Sequence, residues 1–147
     1  MLALWLTRLR TAVMLKTVNR EAEGFDEGSI KNLSCDLISQ VDRLWLQHSD
    51  GKFGFSVWER MYLECGGKTN VEDEKSWNCF GNRVGWRMNN DWIDTNNANF
   101  SKSAPVRHLP ILVLPRSVPI RGNLSWSRQA SWVFFYFMQR FDECHIN

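Results

Sequence analysis

Strong net charge, closely spaced cysteines, catalytic motifs and long apolar runs are what this sequence lacks. Its 147 residues carry 18 basic and 16 acidic side chains, a formal charge of +2. That gives no global field pointing to nucleic acid or an acidic membrane, so any charge logic is local. Cys35, Cys65, Cys79 and Cys144 show no C-x-x-C spacing, which argues against a zinc knuckle or a thioredoxin-type site. Their wide, irregular spacing is read as buried free thiols in a reducing compartment. No G-x-S-x-G, H-E-x-x-H or P-loop pattern occurs, and Glu72, Asp73 and Glu74 lie in a polar run that reads as solvated. Nothing assembles a nucleophile with a base, and an enzyme is not expected. The apolar opening is cut by Arg8 and Arg10, and the run Trp132 to Met138 falls far short of the roughly 20 residues that span a bilayer. A soluble protein without a secretory signal is the expectation.

Aromatic side chains are in excess: they make up 13% of the chain, with eight tryptophans. They bury large areas at low conformational cost and stack on flat ligands, so the surplus suggests a core built partly for a guest. The length fits one domain with a small helical appendage, divided as an N-terminal helical segment, 1–34, and a core, 35–147. Leu4, Trp5, Leu9, Val13, Met14 and Val18 recur at helical steps and predict an amphipathic helix over 3–18. Ser34 or Asp36 can cap a helix running to about His48, closed by the turn Ser49-Asp50-Gly51. The run FGFSVWERMYLECGG predicts a helix capped by Ser56 and stopped at Gly66-Gly67. KTNVEDEKS reads as a loop, with one helical turn over 77–80. Residues 81–110 keep no regular period yet hold Trp86, Trp92 and Phe100, so they read as an ordered binding loop. Pro115 and Pro119 break the apolar stretch that follows. A last helix, from about Ser127 to Cys144, is apolar on most sides and reads as buried.

Three strings carry a resemblance. VDRLWLQHSDGKFGFSV (41–57), FGNRVGWRMNNDW (80–92) and FSKSAPVRHLP (100–110) resemble, in order and spacing, the three signatures of the Genomes-Uncoupled-Four family. The resemblance implies an all-α, cupped-hand helical domain in which two long ordered loops close over a greasy palm. It implies binding of protoporphyrin IX or Mg-protoporphyrin IX, with no protein-bound metal. The function it implies is non-catalytic stimulation of magnesium chelatase in chlorophyll synthesis, through the large porphyrin-binding subunit of that enzyme. A monomer follows, without a nucleic-acid partner and with peripheral membrane association left open, in a cyanobacterium-like cytoplasm or a plastid stroma. An interaction or signalling module of the same fold with weak or lost ligand binding is the alternative. Arg107 stands where the family has glycine, and Asn82 where it has aspartate.

A porphyrin is a flat apolar disc with two propionates on one edge, so its site needs an aromatic cleft and cations at the rim. Burying several hundred Å² of macrocycle at about 25 cal/mol per Å² gives on the order of 10 kcal/mol before association costs. The floor is assigned to Phe53, Phe55, Val57 and Met61, and the loop walls to Trp86, Trp92 and Phe100. Arg87, Arg116 and Arg121 are the candidates for the propionates. Phe55 and Trp86 fit core positions as well as ligand contacts, and both readings stay open. His108, between Arg107 and Leu109, is read as a structural hydrogen-bonding group rather than an axial ligand.

Overall fold

The computed structural model describes residues 2–92 and 126–146. Six helices and one small hairpin make up that part. They are α1 (Leu2–Thr17), α2 (Glu27–Lys31), α3 (Cys35–His48), α4 (Phe55–Glu64), α5 (Glu74–Val84), β1 (Arg87–Met88), β2 (Asp91–Trp92) and α6 (Trp126–Cys144). The fold is all-α apart from that antiparallel pair, in which Arg87 faces Trp92 and Met88 faces Asp91. Phe100, Arg107, His108, Pro115, Arg116, Pro119 and Arg121, and with them the third signature string, lie outside the described residues.

Local chemistry sets the helix starts. Asp26 accepts from the Ser29 backbone while the Ser29 hydroxyl accepts from the Asp26 backbone, a reciprocal cap that makes the five-residue α2 possible. Ser34 caps α3 through the Leu37 N–H at 3.1 Å. Asp73 caps α5 through the Ser76 N–H at 3.1 Å. So α5 runs for 11 residues, not the single turn expected over 77–80. The loop expected from residue 81 begins only after Gly85, whose φ of +77° ends the helix in the left-handed region. The cap of α4 also differs from expectation. Gly54, not Ser56, is the N-cap and offers no side chain. The Ser56 N–H instead donates to Asp42 Oδ1 of α3, at 3.0 Å and out of solvent.

The core is one aromatic-rich cluster, and α6 packs against α2, α3 and α4 around it. Phe134, Phe137, Met138 and Phe141 form a single buried stripe of α6 at helical spacing. Trp132 is 43% exposed, so this helix buries one face and not most sides. On α1 Arg10, Met14 and Leu15 are buried, with Val18 half-buried just past its end, while Leu9 and Val13 are exposed. The face is rotated by one residue from the apolar pattern. The cause is Arg10, whose guanidinium lies 4.7 Å from the Trp45 ring centroid, so a basic side chain takes a place the periodicity gave to Leu9. Met14, Leu15, Phe25, Ile30 and Leu33 of the first 34 residues lie in the same cluster as the rest.

The cysteines are not free thiols. Cys35 is bonded to Cys144 with a Cα–Cα distance of 5.2 Å, and Cys65 to Cys79 at 5.8 Å. The first pair joins the start of α3 to the end of α6; the second joins the residue just past α4 to the middle of α5. Helix ends distant in sequence meet at bonding distance, which spacing along the chain does not reveal.

Candidate functional site

The middle of the chain folds into a tryptophan-lined face made by α4, α5 and the hairpin. Trp77 of α5 stacks on Trp92 of β2, with ring centroids 4.6 Å apart and planes 16° from parallel. Trp86 meets Trp58 edge-on at 5.1 Å and Phe80 edge-on at 5.4 Å. Phe134 of α6 closes the group from below, 4.6 Å from Phe80 and 5.0 Å from Trp77. Offset and edge-on ring pairs of this kind fix a rigid aromatic wall.

Gly81 makes the stack possible. A Cβ at this position would collide with the outer edge of the Trp92 ring, so the phenylalanine-glycine step of the second string is there to let Trp92 lie flat on α5. Gly54 has a similar role in the first string. Its φ is +152°, and a Cβ would stand 2.7 Å from the Asp42 carboxylate that caps α4. The aspartate of the first string and its glycine-phenylalanine-serine step are thus two halves of one capping device.

The expected floor residues are deep in the protein: Phe53 is 3% exposed, Phe55 2%, Val57 5% and Met61 5%. Phe55 stacks on Phe141 at 4.9 Å, and Trp86 is likewise buried. Trp92 and Arg87 are the expected site residues that keep partial exposure, and the hairpin register sets them opposite each other. Arg87 Nη1 donates to Asn82 Oδ1 and Asn90 Oδ1, both at 3.2 Å, while its Nε is buried without an acceptor. Asn82, standing where an aspartate was expected, therefore holds the arginine as a neutral partner. The neighbouring Arg83 turns away, its guanidinium 3.7 Å from Glu64. Phe100, Arg116 and Arg121 lie outside the described residues.

Sequence reasoning missed Trp77, the base of the stack, because the residues before it read as a loop. The cap signal that finds it is Asp73, whose carboxyl is held below its usual value by the Ser76 hydroxyl and backbone. Another missed residue is Glu59 of α4. It is 4% exposed, has one carboxylate oxygen without a partner, and is pushed up by burial and then by Asp142 and Asp42. Among the described residues, no group of three or more His, Cys, Asp or Glu could hold a metal ion. No helix among them is long and apolar enough to cross a membrane.

This geometry has relatives. The chain is 35% identical over 88 residues to a Ycf53-like protein of Synechocystis sp., a stretch covering 59% of this chain and 34% of that protein. It is 40% identical over 35 residues to the chloroplastic tetrapyrrole-binding protein of Arabidopsis thaliana, covering 24% of this chain and 13% of that one. The matches thus span about a third or less of these curated relatives. The ligand-free structure of Arabidopsis thaliana GUN4 superimposes with a TM-score of 0.59 over 90% of this chain and 79% of that chain, at 20% identity. That likeness carries the fold. The family model described as GUN4-like matches residues 7–132, most of the chain, and this protein belongs to the GUN4-like family.

Proposed function

We propose that this chain is a non-catalytic tetrapyrrole-binding protein that takes protoporphyrin IX or Mg-protoporphyrin IX on the face built from Trp77, Trp86 and Trp92. The observation that carries this reading is the pairing of a partly exposed, stacked tryptophan with a partly exposed arginine opposite it in the hairpin. A flat ring would extend the Trp77–Trp92 stack, and a propionate would pair with the part of the Arg87 side chain that stays exposed. Phe100, Arg116 and Arg121 are proposed to complete the wall and rim, and Phe53, Phe55, Val57 and Met61 to back it from the core. As in the family expectation, the protein would act on the large porphyrin-binding subunit of magnesium chelatase as a monomer, in a cyanobacterial cytoplasm or a plastid stroma. Its sequence relatives include a cyanobacterial protein and a chloroplastic one.

The test is a porphyrin titration followed by tryptophan quenching and a Soret shift. Saturation in the micromolar range, about 8 kcal/mol, is expected, together with loss of the signal in Trp92→Ala. Absence of any change at tens of micromolar porphyrin would sink the reading. A second reading would then take its place: an interaction module of the same fold without a ligand. The burial of Phe53, Phe55, Val57, Met61 and Trp86 favours that alternative, since side chains that already satisfy one another need no guest. In a chelatase assay at low magnesium, stimulation is expected, and its absence would remove the partner from the proposal.

A further inference from the structure

Away from the tryptophan face, the start of α4, the middle of α3 and the residues just past α6 enclose a cleft of about 520 Å³. Its lining includes Arg43 from α3, Arg60 from α4 and His145 from the C-terminal turn, together with the hydroxyl-bearing Ser39 and Ser56. We propose that this cleft is a second binding site, separate from the porphyrin face, for a small organic phosphate.

Charge is the first argument. Two guanidiniums share one concavity, and among the described residues neither is in an ion pair; the four ion pairs that occur involve other arginines and lysines. Of the described residues on the wall, Asp42 is the carboxylate, and it is committed. It is 4% exposed, and its Oδ1 takes the Ser56 N–H at 3.0 Å. The wall therefore carries two guanidiniums against one carboxylate, an excess of positive charge that a bound anion would balance.

Architecture is the second argument. The wall that brings His145 is built, not frayed. The Cys35–Cys144 bond pins the end of α6 to the start of α3, and His145 then adopts a φ of +52° with its N–H donating to the Asp142 carbonyl at 3.2 Å. That left-handed residue turns the chain back so that His145 and Ile146 both face the cleft.

The chemistry of the lining selects the ligand. Forked guanidinium donors from two helices, with hydroxyls nearby, suit a tetrahedral group offering three oxygens. The volume exceeds that of a bare phosphate, and Leu46, Val57 and Ile146 supply an apolar wall for an organic moiety. Val57 is shared with the expected porphyrin floor; Trp77, Trp86 and Trp92 are not part of the wall.

Glycerol 3-phosphate and inorganic phosphate are the probes, titrated into the whole protein while backbone amide shifts are followed by NMR. Saturable shifts at Ser39, Arg43, Ser56 and Arg60 are expected, with the organic phosphate tighter than the inorganic ion. The double variant Arg43→Gln/Arg60→Gln should weaken binding by about tenfold or more, and Arg43→Lys/Arg60→Lys should recover part of it, charge being restored without the fork. Both pairs are at exposed positions, so helix content by circular dichroism should be unchanged. Lack of saturation at about 10 mM of either probe, or unchanged affinity in the glutamine variant, would overturn the site. If the glutamine variant instead abolishes porphyrin quenching, the cleft is the porphyrin's own rim and the second site falls.

Discussion

The aromatic core has two ends of different chemistry. At one end Phe25, Phe55, Phe137 and Phe141 contact one another at centroid distances of 4.9–6.2 Å, and Phe137 and Phe141 are fully buried. At the other end Trp58, Trp77, Trp86 and Trp92 pack with Phe80 and Phe134, and Trp92 keeps contact with solvent. Each end has its own disulfide: Cys35–Cys144 runs three residues beyond Phe141, and Cys65–Cys79 lies next to Phe80. Phenylalanine offers burial alone, whereas tryptophan offers a wide face and a polar edge. The contrast separates what holds the fold from what is available to a ligand.

The disulfides tie the two ends by loops of very different length. Cys35–Cys144 closes a loop of 109 residues and Cys65–Cys79 one of 14. By loop-closure entropy the first stabilises by about 5 kcal/mol and the second by about 3 kcal/mol. In urea melts, Cys35→Ser/Cys144→Ser should therefore lose more stability than Cys65→Ser/Cys79→Ser. Equal losses would mean that the two ends do not differ in how they are tied. The pairs also bear on the proposed compartment, since disulfides are rare where glutathione and thioredoxin keep thiols reduced. Alkylation of cell extracts before and after reduction checks this: two oxidised pairs would count against the proposed cytoplasm or stroma, and four reactive thiols would restore the free-thiol reading.

Next in size are paired truncations at the two ends. Phe137→Ala empties a fully buried position and should cost about 4 kcal/mol, while the fraction that stays folded binds porphyrin as before. Trp92→Ala, at the exposed edge, should cost about 1–2 kcal/mol and remove the ligand signal. Should both variants lose the signal equally, the ligand sits in the core rather than on the tryptophan face.

Gly81→Ala should come next, at about 2 kcal/mol, because the added methyl meets the Trp92 ring and overpacking is relieved only by moving it. It should also weaken the stack, read as a loss of near-ultraviolet circular dichroism without loss of helix. This glycine shows how much the sequence disclosed. The three strings were enough to identify the all-α fold; α3 was bounded by its Ser34 cap, and α4 and α6 by their apolar periodicity. What the strings did not disclose is why they are spaced as they are. Asp42 and Gly54 meet only because the chain after α3 brings the start of α4 back to the Asp42 carboxylate, and Gly81 meets Trp92 only once the hairpin folds back. The five-residue α2 was too short for periodicity to detect, and on α1 Arg10 against Trp45 is buried where Leu9 was expected. The Phe55 and Trp86 ambiguity, ligand or core, is a question of depth, and both side chains are deep.

Glu59 gives the smallest effect and tests the phenylalanine end from its polar side. The carboxyl is buried on α4 between elements that also present Asp42 and Asp142, and one of its oxygens has no partner. Burial, reinforced by those two carboxylates, raises its folded-state pKa above the usual value of 4.5, so the fold prefers the protonated form. Its contribution is then fully present below about pH 4.5 and is lost as pH rises through the folded-state value, because ionisation is easier in the unfolded chain. Glu59→Gln removes that titration while keeping the shape. The variant should match the parent in acidic urea melts and exceed it in stability at pH 8. A variant that is less stable at both pH values would show that the charged carboxylate is wanted there, and that the phenylalanine end is not the purely apolar anchor its ring contacts describe.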